Sequence, residues 1–357
     1  ECLGRSFYDV FESVEPVPVA AASIAQVHHA VLKDGRPVVI KVQRPDLERV
    51  IAADLRILQG VAAMLERKVP ESRQFRPRAI VNEFRKSLNR ETDFNIELSS
   101  MVRYRRNFAD EPGLLVPEPY PEVSGKMVLV MERVEGVKVT DRKALEAMGL
   151  DLRKVIETGM RVTLRSIFEF GFFHADPHPG NFFVRSDGTV VLDRLKRAGG
   201  QRDEMLAFMV AVLTGDLDMI VNLMLDADLI GDQTDLREFR SDLAAIMDRY
   251  RDEAIGSIDV TGFVSEVYTV ALRHGVKPPA DLLLSGQAMG SMEGIGVEVV
   301  PDFKPLDAIR PYLTEIYVKR MLDTKRHTQV MARSAMDGLA RLKDAPFEIR
   351  RILRQLR

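Results

Sequence analysis

The sharpest chemical pattern in the chain is His174-Ala175-Asp176-Pro177-His178-Pro179-Gly180-Asn181. Asp176 and Asn181 stand five residues apart, with Pro177 and Pro179 stiffening the backbone between them and Gly180 able to turn it. A carboxylate that orients a hydroxyl nucleophile, followed at this spacing by an amide that holds a metal, is how phosphoryl-transfer loops are built. Twelve residues after Asn181 the apolar run Val190-Val191-Leu192 delivers Asp193, a second oxygen ligand. Two oxygen ligands from fixed loops, completed by phosphate oxygens and water, suit Mg²⁺. Each residue alone could simply cap a turn or end a strand; together they favour metal-nucleotide chemistry. His174 and His178 also admit a transition-metal cluster, although His28, His29, His274 and His327 are the remaining histidines to complete one. Hydrogen bonding that orients the loop is the better expectation for His174.

Lys41 lies in Val38-Val39-Ile40-Lys41, where strand alternation sets it opposite Ile40 and Val42. Its ammonium could then enter a cleft and neutralise the α- and β-phosphates of a nucleotide. As a strand lysine that contributes little to stability, it is expected to be dispensable for the fold. A carboxylate partner would come from the acidic cluster Glu91-Thr92-Asp93-Phe94-Asn95-Ile96-Glu97. Asp93 and Glu97 are four apart on one helical face and Glu91 is offset, while a solvated acidic face is the plainer alternative. Before this strand runs Val19 to His28, rich in alanine where phosphate loops ordinarily use glycine. Small side chains there could pack against a nucleotide or simply fill a core.

These residues need elements to carry them. Val27 to Leu32, the Asp34-Gly35 turn and Val38 to Val42 read as a β-hairpin. From Pro45, the residues Leu47, Val50, Ile51, Leu55, Leu58, Ala62 and Leu65 recur at helix spacing, and Ile80, Phe84, Leu88, Leu98 and Met101 suggest another helical region. Lys126 to Gly136 is an apolar strand leaving a first lobe, so the cleft is expected near 132–136. A second hairpin surrounds Ser186-Asp187-Gly188, and helices are expected near 201–225, 235–254, 259–274, 279–293 and 306–322. Gly286, Gly290 and Gly294 form either a close-packing ridge or turns.

The 357 residues suffice for two domains at roughly 100 to 200 residues each. A net charge of −2 gives no reason to expect nucleic acid as a partner. The single cysteine, Cys2, excludes an intramolecular disulfide framework and fits a reducing compartment. No run approaches a membrane span, and the first residue, not a Met, suggests that sequence is missing upstream. Between Lys319 and Arg357 there are 11 Lys or Arg against 4 Asp or Glu, and Ile349, Ile352, Leu353 and Leu356 alternate with arginines. That pattern suits an interfacial helix on an anionic membrane surface, or a basic helix packed on an acidic lobe.

With these pieces assembled, the sequence resembles the ABC1/ADCK/UbiB family of atypical protein-kinase-like proteins. The resemblance rests on Ala20 to His28 (AAASIAQVH), VVIKVQRP, ETDFNIE, LVMERVEG, FFHADPHPGN and VVLD, in this order over most of the chain. It implies an α+β, bilobal protein-kinase-like fold: a small mixed N-lobe over 1–133, with the alanine-rich loop and inserted helices, and a helical C-lobe over 134–357. ATP or ADP with Mg²⁺ are the implied cofactors. Ala20, Ala21, Ala22, Ser23, Ile24, Ala25 and Gln26 are similar to the alanine-rich loop that replaces the kinase glycine-rich loop, and Lys41 to the ATP lysine. Glu91 and Asp93 resemble the family's Glu-x-Asp pair, with Glu97 preferred as the partner of Lys41 and Glu91 second. Glu132, Arg133 and Val134 resemble the hinge at adenine, Asp176 the catalytic-loop aspartate, and Asn181 and Asp193 the metal ligands.

The resemblance further implies support of isoprenoid-quinone, especially ubiquinone, biosynthesis, with an isoprenoid lipid or quinone precursor and quinone-biosynthesis proteins as partners. The implied location is the cytoplasmic face of a bacterial inner membrane or an organelle membrane. The chain departs from the family's pattern twice. It has no Lys-x-Gly-Gln motif, and it has Asp193-Arg194-Leu195 where the family shows Asp-Phe-Gly. A Phe-Gly-x-x-Gly stretch between Asp193 and Arg194 would restore the pattern, so a join across missing residues is expected there, with a true deletion as the alternative.

Overall fold

A computed structural model describes residues 6–69, 72, 76–174, 179–192, 197–199, 206–209, 211, 216–231, 234–252, 260–276, 278, 280–305, 309, 312 and 316. In chain order the first half contains α1 (Phe7–Val10), β1 (Phe11–Val14), β2 (Ala20–Ala21), β3 (Ala25–Leu32), β4 (Pro37–Gln43), α2 (Leu47–Lys68), α3 (Pro77–Glu91), α4 (Phe94–Asn107), β5 (Leu114–Leu115), β6 (Val128–Glu132) and β7 (Val137–Lys138). Then come α5 (Arg142–Ala147), α6 (Leu152–Phe168), β8 (Phe172–His174), β9 (Phe182–Val184), β10 (Val190–Leu192), β11 (Arg197–Gly199), α7 (Leu217–Asp226), α8 (Leu236–Asp252), α9 (Val260–Arg273) and α10 (Ala280–Val299). Contacts divide the chain into one unit of residues 1–200, 259–265 and 279–303 and a second of 201–258, 266–278 and 304–357. A strand-rich beginning followed by a helical remainder makes the architecture α+β.

The first sheet is antiparallel, in the order β1-β3-β4-β6, with β2 also pairing β3. Its central hairpin turns at Asp34-Gly35, where Gly35 takes φ +83°, a region closed to most side chains. Asp34 accepts from the Arg36 amide at 3.2 Å and its guanidinium at 2.8 Å, which hold the carboxyl below its ordinary range. Alternation along β4 gives the two faces different work. Val38 and Ile40 enter a core with Phe11, Leu32, Tyr120 and Val130, while Lys41 and Gln43 are buried on the opposite face.

The region read as one helical continuation after Ile80 is two helices, broken at Thr92 and Asp93. Asp93 caps α4 by accepting from the Asn95 amide at 3.0 Å, so a new helix starts although the apolar spacing runs on. In α2 only Leu55 and Ala62 are fully buried; Val50 and Leu58, on the same predicted apolar pattern, stay exposed.

A second sheet, in the order β5-β10-β9-β7, contains the other predicted hairpin, closed by Asp187 accepting from Thr189 and by Gly188 at φ +83°. β5 joins it in parallel, with Leu114 opposite Val190. Beneath lies α6, largely buried and packed against α10, with Ile156 against Gly296 and Gly159 against Met292. α10 runs past the expected end at 293. Gly286 and Gly296 are close-packed: an added Cβ would lie 2.8 Å from Val264 at the first and 2.7 Å from Phe303 at the second, whereas Gly294 faces open space. In the second unit, α7 and α8 fall where helices are expected, and His274 Nε2 lies 3.0 Å from the Asp242 carboxylate. Of the helix expected at 306–322 only residues 309, 312 and 316 are described, and the expected helix start at 201–205 lies outside the described residues.

Candidate functional site

Lys41 is 5% exposed, so its charge needs a partner inside the fold. The Nζ atom donates to Glu97 Oε2 at 2.6 Å and lies 4.9 Å from the centre of the Phe94 ring. Glu97 sits in the first turn of α4, four residues past the cap. Asp93 is spent on that cap, and Glu91 ends the preceding helix. Of the three carboxylates in the acidic cluster, the structure therefore brings Glu97 to Lys41. The burial also corrects the expectation that Lys41 is dispensable for the fold, because removing it would leave Glu97, 14% exposed, without its counter-charge.

The alanine-rich segment doubles back along the start of β3, the strand beside β4. Ala20 and Ala21 pair with Val27 and Gln26, and the Ala22 amide closes the turn onto the Ala25 carbonyl at 2.8 Å. Arg44 ties this turn to β4: its backbone amide donates to Ile24 O at 3.0 Å and its Nε to Ala22 O at 2.9 Å. Ala20, Ala21 and Ser23 are exposed, Ala22, Ile24 and Gln26 half-buried, and Ala25 buried.

At the other end of the sheet, the Glu132 amide donates to Glu118 O at 2.7 Å while its carboxylate accepts from the Glu118 amide at 3.1 Å. Arg133 donates from its amide to Pro37 O at 3.2 Å, and Val134 is half-buried. Tyr120, beneath the Arg36 guanidinium, has its phenol pushed above its ordinary pKa by burial, against the pull of that guanidinium. Two residues beyond Val134, Gly136 crosses the second sheet so closely that a Cβ would lie 3.0 Å from Val184 O.

Asn181 closes a short 3₁₀ turn, Pro179–Asn181, directly before β9 and is 7% exposed. Asp176, His178, Asp193 and the junction to Arg194 lie outside the described residues; of His174 only the backbone is described, paired in β8 with Arg197. Three residues that sequence reasoning missed support this region. Gln43 and Arg44 hold the neighbours of Lys41. Glu111, its side chain 2% exposed, receives Arg161 Nε at 2.7 Å and also Arg165, whose Nε lies 3.0 Å from Glu169. Alternation could have flagged Gln43 as sharing the face of Lys41, but no local pattern marks Glu111.

The ABC1 atypical kinase-like domain matches residues 1–224, and the UbiB helical domain matches residues 243–304. A relative from Cellvibrio japonicus and another from Aeromonas hydrophila, each named "Probable protein kinase UbiB", are 31% identical to the chain. Each alignment covers 99% of this chain and 65% or 66% of the relative, so the chain spans about two thirds of the length of these curated relatives. A solved structure of Rv3197 with erythromycin, from Mycobacterium tuberculosis, shares the fold with a TM-score of 0.64 at 23% identity, over 86% of this chain and 78% of that one. A strand lysine paired to a helix carboxylate, in an α+β fold matched from its first residue to 224, thus has its place: the chain belongs to the ABC1 atypical kinase-like family.

Proposed function

We propose that the chain is the nucleotide-handling part of an ATP- and Mg²⁺-dependent atypical kinase or ATPase that supports isoprenoid-quinone, especially ubiquinone, biosynthesis at a membrane surface. The observation that carries this reading is the buried Lys41–Glu97 pair at 2.6 Å, which fixes an ammonium in the sheet that also carries the alanine-rich turn. Lys41 holds the phosphates, Ala20 to Gln26 cover the nucleotide, and Glu132 to Val134 meet the adenine. Glu91 and Asp93 border the same helix start. Asp176 orients the acceptor, which is a lipid, a small molecule or water rather than a generic protein.

The residues fit a hard cation. Asn181 supplies an amide oxygen and Asp193 a carboxylate, the few oxygen ligands that Mg²⁺ takes alongside phosphate. When bound, Mg²⁺ supplies charge neutralisation at the phosphate oxygens. Most of the rate enhancement then comes from alignment and electrostatics of groups held by the two sheets. The names of the relatives support the kinase part of the reading, and the family resemblance supports the quinone part. For the membrane part the support is the basic, amphipathic 319–357 segment, which lies outside the described residues. Among the described residues no helix is long and apolar enough to cross a membrane.

One sequence feature favours a second reading, a nucleotide-binding pseudokinase that organises quinone-biosynthesis proteins. Arg194 and Leu195 stand where the family pattern has a flexible joint, which sets a positive charge beside a metal ligand. Phosphate release from ATP by the full protein separates the two. Release that disappears in Asp176→Asn supports the enzyme; nucleotide binding without release supports the scaffold.

A further inference from the structure

The strand that carries Lys41 has a second inward side chain two residues on. Gln43 is 5% exposed, and its Nε2 donates to the backbone carbonyl of Thr92 and, at 3.2 Å, to that of Lys126. Thr92 is the last residue before the α4 cap, Asp93. The Lys126 carbonyl also accepts from the Phe94 amide at 3.0 Å, and the Gln43 amide donates to Met127 O at 3.0 Å. One side-chain amide thereby joins the tip of β4, the start of α4 and the residues leading into β6. β4 grips α4 at two points, Gln43 at its entrance and Lys41 at Glu97 one turn further in.

The orientation of this amide is fixed, since turning it over would set its oxygen against two carbonyls. In the orientation it has, Gln43 Oε1 is buried with no hydrogen-bond partner among the described residues. An unsatisfied buried acceptor costs about 1–3 kcal/mol, a cost that an apolar side chain of equal length would avoid. The donor half of the amide must therefore do something that bare packing would not. What it touches is the entrance of the helix that brings Glu97 to Lys41.

We propose that Gln43 is a positioning residue: it holds the start of α4 so that Glu97 meets Lys41, and so sets the direction in which the Lys41 ammonium faces a nucleotide phosphate. This rests on the nucleotide reading above. Gln43 itself touches no reacting group.

The test is a double-mutant cycle on the full chain, with Mg²⁺-ATP binding followed by calorimetry at a temperature where circular dichroism shows every variant folded. Gln43→Met keeps length and apolar volume but removes the donor, and is expected to weaken binding about 3- to 10-fold, in the lower part of the range of coupling seen between neighbouring residues. In a Glu97→Gln background the same change is expected to cost less than about twofold, because the contact through which Gln43 acts has already been altered. Gln43→Asn, which keeps the amide on a shorter arm, should fall between Gln43→Met and the unaltered protein, and it carries the comparison if Gln43→Met does not fold. Unchanged affinity in Gln43→Met, or the full effect persisting in the Glu97→Gln background, would overturn the positioning role. No change in the Lys41→Met/Glu97→Gln double variant would instead overturn the nucleotide reading itself, and the positioning role with it.

Discussion

Lys41 and Glu97 meet 2.6 Å apart across 56 residues of sequence, one at the centre of a sheet and the other in the first turn of a helix. A buried ammonium and a nearly buried carboxylate are each costly alone, so their contributions to stability and to ligand binding are linked. Lys41→Met should weaken nucleotide binding and also lower stability by about 3 kcal/mol, at the low end for a broken buried pair because Glu97 keeps some solvent contact. Lys41→Met/Glu97→Gln should recover much of the stability without recovering binding. Thermal unfolding and calorimetry on the two variants check both parts; full stability in the single variant would contradict the linkage.

Glu111 concerns stability alone. Its buried carboxylate neutralises Arg161 and Arg165, so Glu111→Ala leaves Arg161 without its counter-charge and Arg165 with Glu169 alone, and should cost about 3 kcal/mol, the low end for a broken buried pair because both guanidiniums keep solvent contact. Arg161→Ala should cost much less, since Arg161 is half exposed and Arg165 remains to pair the carboxylate. Denaturant unfolding midpoints would rank them; equal effects would show that the carboxylate is not the centre of the network.

Gly136→Ala tests the crossing beside the proposed adenine hinge. Its methyl group would press on the Val184 carbonyl, a backbone atom in a paired strand with little room to give. A loss of about 1–3 kcal/mol is expected, as for overpacked sites, with a lowered melting temperature as the readout.

Tyr120 predicts a pH dependence. Burial raises its folded pKa above the ordinary value of 10.0, so the unfolded chain ionises first. The stability held in this group is complete below that value and is lost as the pH rises through and beyond it. Tyr120→Phe should therefore unfold with a shallower pH dependence than the unaltered protein above pH 10, and identical slopes would show that the phenol is not the group responsible.

The basic C-terminal segment predicts salt-sensitive co-sedimentation with anionic liposomes, falling on truncation after Ala345. Undiminished binding by the truncated protein would remove this segment from the membrane reading.

What could be read from sequence follows the range of the interaction. The β3–β4 hairpin, the inward direction of Lys41 and the hairpin at Asp187 depend on period-two alternation and on turn residues a few positions apart, so they were legible. The break between α3 and α4 was not, because the apolar spacing from Leu88 to Leu98 continues across it and only the cap at Asp93 betrays it. The partners of Gln43 and Glu111 were invisible for another reason, although alternation alone puts Gln43 on the face of Lys41. Gln43 bonds carbonyls 49 and 83 residues away, and Glu111 pairs with arginines 50 and 54 residues away, separations at which one sequence carries no periodic signal.

The parallel pairing of β5 with β10 bears on how this chain can be taken apart. Residues 111–115 precede the lobe boundary read at 133, yet Glu111 is bound to α6, the Gly113 carbonyl accepts from Val190, and Leu114 and Leu115 lie beside Val190 and Val191. A fragment ending at 133 would strip this stretch of every one of those partners and expose a buried carboxylate. Chimaeras that exchange lobes between relatives should therefore carry 111–115 along with the helical half, even though that means cutting the polypeptide at two places instead of one.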